Sequence, residues 1–483
     1  MTNKTNRRDF NKSAAALGMG AWVLGGITPP PSRSANEEIR FGCIGVGGKG
    51  KSDSTDAGKH GKVVAMCDID EETLGKKKSE FGDAKTFFDY RKMLDEMGDG
   101  IDAVTVSTPD HTHAVASLMA MRMGKHIYCQ KPLTHSIEEA RMMGDVAREM
   151  KLVTQMGNQG TAGSNLRESA ALIRKGIVGT VKEVHVWTNR PVWPQSYGLK
   201  VKTKPDNGKE DEWDRRSKQV HWKEWIGPAE TRMYSPEIHP FKWRGFWDFG
   251  TGALGDMACH TLNMSYMALD LKFPTSVVAE CDEHDGNCYP AKSKIVFEFP
   301  ELDGRPALKM IWYDGGALPP AELMSDLPKQ KKGKRMRHFT SAALVVGDKG
   351  KFYSPGDYGG VPNETGLIVD GDFVPQREIV RPEEGDSPFA AFKNIEYTKS
   401  PGHFTEFADA ILGNGKTVSE FVEYAGPLTE TILLGNLAVW SGKKIDWDAK
   451  TMVAANADEA TKRMVRHQYL NGYSIHEGAA AKG

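Results

Sequence analysis

The sequence predicts an α/β protein in two parts: a doubly wound parallel sheet, then an α+β domain built on a large, mostly antiparallel sheet. Three observations carry this. Strand-like and helix-like runs alternate from residue 39 to about 156. The first strand runs directly into Gly45-x-Gly47-x-x-Gly50. Beyond residue 157 the pattern changes, and from Ser276 to Tyr353 strand-like runs follow one another with no helix between them. A helix between two strands makes a parallel crossover, whereas consecutive strands pair antiparallel.

In the first part the strand-like runs are Arg40–Ile44, Lys62–Cys67, Ala84–Phe88, Ala103–Ser107, His126–Cys129 and Val153–Met156. Helical stretches lie between them at Glu71–Glu80, Arg91–Met97, Ala114–Met123 and Ile137–Met150. Gly45, Gly47, Gly48 and Gly50 let the turn tighten and let backbone N–H groups approach a pyrophosphate at a helix start. Asp68 ends the second strand, where a carboxylate accepts hydrogen bonds from an adenosine ribose; this favours NAD over NADP. Ligands of such sheets lie beyond the carboxyl ends of the strands. Those ends carry Thr108-Pro109-Asp110 and Gln130-Lys131-Pro132.

The second part opens with a helix containing Leu166, Ala170, Leu172 and Ile173, then a strand at Val181–Thr188. Further strands are expected at Ser276–Glu280, Lys294–Glu298, Ala307–Trp312, Ala343–Val346 and Gly350–Tyr353, and helices at Phe404–Leu412 and Tyr424–Ser441. The domains expected are therefore 36–157 and 158–483.

A formal net charge of −1 argues against a surface that binds nucleic acid. The basic run from Lys329 to Arg337 is broken by glycine and lacks interleaved aromatics, so it reads as a solvated loop. Six cysteines without a CxxC spacing give neither a disulfide framework nor a structural zinc site.

Residues 1–35 read as a signal peptide and linker. Arg7-Arg8-Asp9-Phe10 precedes an uncharged, small and apolar stretch from Ser13 to Ile27, then three prolines. The paired arginines resemble a twin-arginine signal, which implies the twin-arginine export machinery as a partner and a periplasmic or other extracytoplasmic location. The stretch is also compatible with retention as an uncleaved anchor. That route exports folded proteins, so a nucleotide would travel out already bound.

Three further motifs resemble the Gfo/Idh/MocA oxidoreductases. They are Thr108-Pro109-Asp110-His111-Thr112-His113, Cys129-Gln130-Lys131-Pro132, and Gly250-Thr251-Gly252-Ala253-Leu254-Gly255-Asp256-Met257-Ala258-Cys259-His260. The resemblance implies an NAD(P)-binding Rossmann domain and a second domain whose open sheet serves substrate and oligomer contacts, as a dimer or tetramer. It also implies that the C-terminal helices pack back on the Rossmann domain. Gln130 stands where the family usually has Glu, so the carboxylate beside the lysine is missing.

Moving a hydride from a sugar carbon to nicotinamide requires a group that takes the hydroxyl proton. Lys131, Asp256 and His260 are the catalytic candidates: Lys131 as the proton-transfer group, His260 as a second one, and Asp256, one helical turn away, either orienting it or binding substrate hydroxyls. Thr108, Pro109, His113, Gln130 and Lys131 join the glycines and Asp68 as expected cofactor contacts. Asn158, Arg190, Trp193, Trp243 and Arg244 are the expected substrate contacts. The wider aromatic cluster of Trp222, Trp225, Tyr234, Phe241, Phe246 and Trp247 reads equally as sugar stacking or as packing. His111, His113 and Asp110 read as turn residues, not as metal ligands. The function expected is an exported NAD-dependent oxidoreductase acting on a ring hydroxyl of a sugar, glycoside or polyol. The alternatives are an NAD-dependent glycoside hydrolase and a non-enzymatic nucleotide or sugar binder.

Overall fold

The computed structural model describes residues 38–302, 304–332, 335–361, 363–382 and 387–476. The signal-like segment 1–35 lies outside them. Six strands form the first sheet: β1 (Ile39–Ile44), β2 (Gly61–Cys67), β3 (Lys85–Phe87), β4 (Ala103–Val106), β5 (His126–Cys129) and β6 (Thr154–Met156). Their order is β3-β2-β1-β4-β5-β6, and every pair is parallel. All four residues of β4 are buried, as a strand covered on both faces requires. The crossovers are α1 (Gly50–His60), α2 (Glu71–Lys78), α3 (Tyr90–Met97), α4 (Asp110–Arg122) and α5 (Ile137–Met150). Helix α5 starts at a Ser136/Glu139 capping box, one reason its boundaries are readable from sequence. Helix α4 starts four residues before the expected Ala114, because Pro109 caps it in an extended conformation. The motif histidines therefore sit in a helical first turn.

The second part begins with β7 (Val181–Trp187), β8 (Ser276–Cys281), β9 (Ser293–Phe299) and β10 (Leu308–Tyr313). The basic run that follows is not a loop: β11 (Lys329–Lys332) and β12 (Arg335–His338) pair as a separate antiparallel ribbon. Then come β13 (Ala342–Gly347), β14 (Lys351–Pro355), β15 (Gly366–Val369), β16 (Asp372–Pro375), β17 (Ile445–Asp448) and β18 (Val453–Ala454). All but the ribbon join one ten-stranded sheet, ordered β16-β15-β14-β13-β7-β10-β9-β8-β17-β18. Among the described strands of this sheet, only β7 and β10 pair in parallel. The β15–β16 hairpin also lay outside the sequence reading. Its signal was present in Asp370-Gly371, both at positive φ (51° and 88°), which is the two-residue turn that joins twisted strands.

One face of this sheet is covered by helices, among them Gly426–Ser441, which packs on α5 as well as on β8 and β9. Helix His403–Ile411 packs Phe404, Phe407 and Ala408 against Phe41 and Tyr128 of the Rossmann sheet. The other face is not uniformly open. At the β7–β15 end, Met324 and Leu327 close over Trp187, Ile311, Tyr313, Leu344 and Ile368. At the β8–β10 end it carries exposed Val278 and the pairs Lys294–Glu280 and Lys309–Glu298.

Candidate active site

The glycine loop is built by close approach. Gly45 has φ 76°, and a Cβ there would lie 2.6 Å from the Ser107 carbonyl oxygen. A Cβ on Gly50 would lie 2.0 Å from the Gly45 carbonyl oxygen. Gly48 also has positive φ, 48°. Gly50→Ala must therefore push the start of α1 off the loop. We expect it to lower NAD affinity at least tenfold in a fluorescence titration; wild-type affinity would remove the loop from cofactor binding.

Asp68 braces this loop. Its Oδ2 accepts from Val46 N (2.8 Å) and Gly47 N (3.1 Å), and its Oδ1 accepts from Asp70 N (3.0 Å). It lines the same cleft as Gly45, Gly47, Gly48, Thr108, Pro109, Gln130 and Lys131, so the predicted cofactor residues converge around it, with Gly50 set just behind at the start of α1. The exception is His113. It is buried, and its two ring nitrogens lie 2.8 Å from the Thr108 and Pro132 carbonyl oxygens. It ties two strand-end turns together from behind and is not a cofactor contact. His111 is likewise spent on the Phe249 and Trp225 carbonyls. Among the described residues no group of three or more His, Cys, Asp or Glu is placed to hold a metal.

At the centre stands Asp256, on the helix Gly252–Thr261. Its Oδ1 accepts from Lys131 Nζ at 2.8 Å and lies 3.2 Å from Arg244 Nε; its Oδ2 lies 3.6 Å from Arg190 Nε. Lys131 Nζ also donates to the Asp256 carbonyl at 2.8 Å. Burial alone would raise the Asp256 carboxyl, but Lys131 and Arg244 outweigh it and hold the group well below the usual carboxylate range. Arg244 in turn is held by Asp110, whose Oδ2 accepts from Thr251 Oγ1. Arg190 reaches Asp357 at 3.4 Å.

The expected Asp256–His260 pair does not form. Asp256 is committed to the three cations. His260 is 2% exposed, its Nδ1 has no partner among the described residues, and its ring meets Tyr358 edge-on at 4.7 Å. Burial, then the Lys131 charge, push its imidazolium far below the ordinary range. His260 is therefore a neutral imidazole at the cleft, not a group poised to titrate near neutral pH.

The substrate candidates divide. Arg244 and Trp243 line the cleft, with the guanidinium 4.3 Å over the Trp243 ring. Arg190 reaches the centre through Asp256. Trp193 is buried behind Arg244, and Asn158 is fully buried and bonded to Ser419; neither lines the cleft. Gln159, next in the chain to Asn158, does line it. The aromatic cluster is mainly packing: Trp225, Trp243, Phe246 and Phe249 share one buried core, and Trp222 stacks on Trp225 at 4.4 Å. Trp225 and Trp243 present an edge to the cleft from that core, and Phe241 stands 59% exposed at it.

Sequence reasoning missed the roof of the cleft. The segment from Glu210 to Phe241 crosses to the Rossmann domain, where Arg216 Nη2 donates to Asp70 Oδ2 at 2.6 Å. His221 N donates to the Ile69 carbonyl at 2.8 Å, and its ring stacks on Phe88 at 3.8 Å. The C-terminal segment buttresses it: Leu470 N donates to the Pro228 carbonyl, and Tyr473 lines the cleft. No local motif marks these residues. Tyr358 was legible in principle, since Asp357-Tyr358-Gly359-Gly360 is turn-forming.

The cleft is about 640 Å³, and Thr108 Oγ1 is buried beside it with no partner among the described residues. A glycine cradle at a helix start, an acid at the end of β2 and an unused hydroxyl suit a dinucleotide. The fold and this cleft define a two-domain dinucleotide-binding protein of the oxidoreductase type. Residues 39–158 match the family model described as "Oxidoreductase family, NAD-binding Rossmann fold", and residues 172–306 match "Oxidoreductase family, C-terminal alpha/beta domain". The chain belongs to the Gfo/Idh/MocA oxidoreductase family.

Among curated proteins it is similar to glucose-6-phosphate 3-dehydrogenase of Bacillus subtilis, 22% identical across 55% of this chain and 64% of the relative. A glycosyl hydrolase family 109 protein of Solibacter usitatus is 28% identical across 28% of this chain and 35% of the relative. The chain thus spans less than two thirds of either relative's length. The solved WlbA dehydrogenase of Bordetella pertussis, in complex with NADH and UDP-GlcNAcA, has the same fold. It superimposes with a TM-score of 0.55 at 16% identity, covering 85% of this chain and 99% of that one.

Proposed function

We propose that this protein is an exported NAD-dependent oxidoreductase that acts on a ring hydroxyl of a sugar, glycoside or related polyol. The observation that carries it is the Lys131 ammonium, fixed by Asp256 at the strand ends, in the cleft that holds the glycine loop. The glycine loop, Asp68 and Thr108 would hold NAD, which when bound supplies the hydride acceptor or donor. Lys131 exchanges the proton at the substrate oxygen: its amine takes it in oxidation, and its ammonium returns it in reduction. Neutral His260 shares a hydrogen bond with that oxygen. Arg244 bears on the remaining hydroxyls, and Phe241 offers an apolar face to the sugar ring. Asp68, at the end of β2, favours an unphosphorylated ribose. The test is mass spectrometry of the nucleotide released from purified protein, followed by NADH formation across a panel of sugars. No nucleotide and no reduction with any member would sink the reading.

The roof supports a cofactor that stays bound through many turnovers, and this favours a second reading. A glycoside could be oxidised, lose its aglycone by elimination, add water and be reduced, all on one NAD. That reading predicts hydrolysis of a chromogenic glycoside with no net NADH. Net NADH with an intact glycosidic bond would sink it. Arg216→Ala with His221→Ala should speed NAD release at least tenfold in a competition chase; an unchanged off-rate would show that the roof does not retain the nucleotide. Export and assembly through the sheet rest on the paired arginines and on the uncovered β8–β10 end, respectively.

A further inference from the structure

The departure at Gln130 has a partner. Asp53, on α1, is 1% exposed, and Gln130 is 5% exposed. Asp53 Oδ2 accepts from Gln130 Nε2 at 2.9 Å and from Ser107 Oγ at 2.8 Å; its Oδ1 accepts from Lys49 Nζ at 2.6 Å. One buried carboxylate therefore gathers a donor from the glycine loop, one from the end of β4 and one from the end of β5. The Gln130 side chain is locked in place: a Cβ on Gly157 would lie 2.3 Å from its Nε2. Its Oε1 faces the Lys131 backbone N–H at 3.4 Å. A glutamate at this position would set a second carboxylate against Asp53 at hydrogen-bond distance. Two like charges that close cannot both stay ionised without a large cost. The amide is thus the form of residue 130 that Asp53 admits, since it donates where a carboxylate can only accept.

We propose that Asp53 is a positioning residue for Lys131. It holds the Gln130 amide, and through it the turn that presents the ammonium to Asp256, in register with the glycine loop. The proposal rests on Lys131 being the proton-transfer group, but its test needs neither substrate nor turnover.

The test is reductive methylation of the purified protein, with labelling at each lysine followed by peptide mass spectrometry. It uses wild type, Gln130→Glu, Asp53→Asn and the double variant. Lys351, paired with Asp326 in the second domain away from α1, reports general loosening of the fold. We expect Gln130→Glu to speed labelling of Lys131 at least fivefold with Lys351 unchanged. In the double variant the two groups trade roles, the amide at position 53 donating to the carboxylate at position 130. Labelling of Lys131 should then return to within about twofold of wild type. The interaction would be strongly non-additive, as coupled neighbours are. Wild-type labelling in Gln130→Glu overturns the proposal. So does equal acceleration at Lys351, or a double variant that labels no slower than Gln130→Glu.

Discussion

Lys131→Ala is expected to lose roughly a thousandfold in turnover, within the range attributed to a positioned acid–base group, while the protein still binds NAD. The reason is local. The ammonium donates to Asp256 Oδ1 and to the Asp256 carbonyl, so its removal changes the centre and leaves the glycine loop alone. Asp256 keeps Arg244 and Arg190, which limits the cost of leaving a buried carboxylate short of one cation. Lys131→Arg separates charge from chemistry. A guanidinium can still pair with Asp256, but it does not exchange a proton near neutral pH. The arginine variant should therefore recover the melting temperature lost in the alanine variant and leave turnover as low. The readouts are thermal melting, NAD titration and turnover on the substrate identified by the sugar panel. Turnover within tenfold of wild type in either variant would remove Lys131 from proton transfer.

The second large effect is on stability in acid. Burial pushes His111 down to about 3 and His239 and His403 down to about 4, from an ordinary 6.5. In the unfolded chain these imidazoles take up protons below pH 6.5, and in the folded one they do not. Unfolding then binds protons, so stability rises with pH and is lost as pH falls from 6.5 toward 4. Asp314 opposes this: burial raises its carboxyl from 3.8 to about 6, so the folded state gains a proton across the same range. His467 is likewise pushed down to about 4, so four histidines stand against one carboxyl, and these five groups take up a net of about three protons on unfolding, or about 4 kcal/mol per pH unit near pH 5. His113 and His260, also held neutral by burial, add to it, while Asp68, Glu139 and Glu430, whose carboxyls burial raises, work against it. Urea unfolding at pH 7, 6 and 5 measures the slope. An unfolding free energy that stays flat between 7 and 5 would show that these histidines protonate in the folded protein.

The Rossmann strands were legible because short apolar runs punctuated by turn residues admit few other structures, and β5 begins and ends where its apolar run does. Helix α4 was harder, since its first turn is made of histidine, threonine and aspartate, which carry no apolar period. In the site, motif residues were legible and their partners were not. Spacing placed Asp256 and His260 on one face of a helix, yet the partner of Asp256 is Lys131, 125 residues away in the chain. Three cations from three elements outcompete an imidazole one turn away, and no local pattern records that contest. The roof shows the same limit: Arg216 and Asp70 are ordinary surface residue types until the second domain folds over the first.

The roof's second support has a consequence for the order of events in synthesis. Leu470 and Tyr473, which brace and line the cleft, leave the ribosome after every other residue that encloses it. A nascent chain can complete its six parallel strands and its glycine cradle long before the cleft can shut. On the proposal that the roof retains NAD, nucleotide would exchange freely during translation and capture would last only once these residues had docked. Loading would then be a late event, set by how much NAD surrounds the chain when they close.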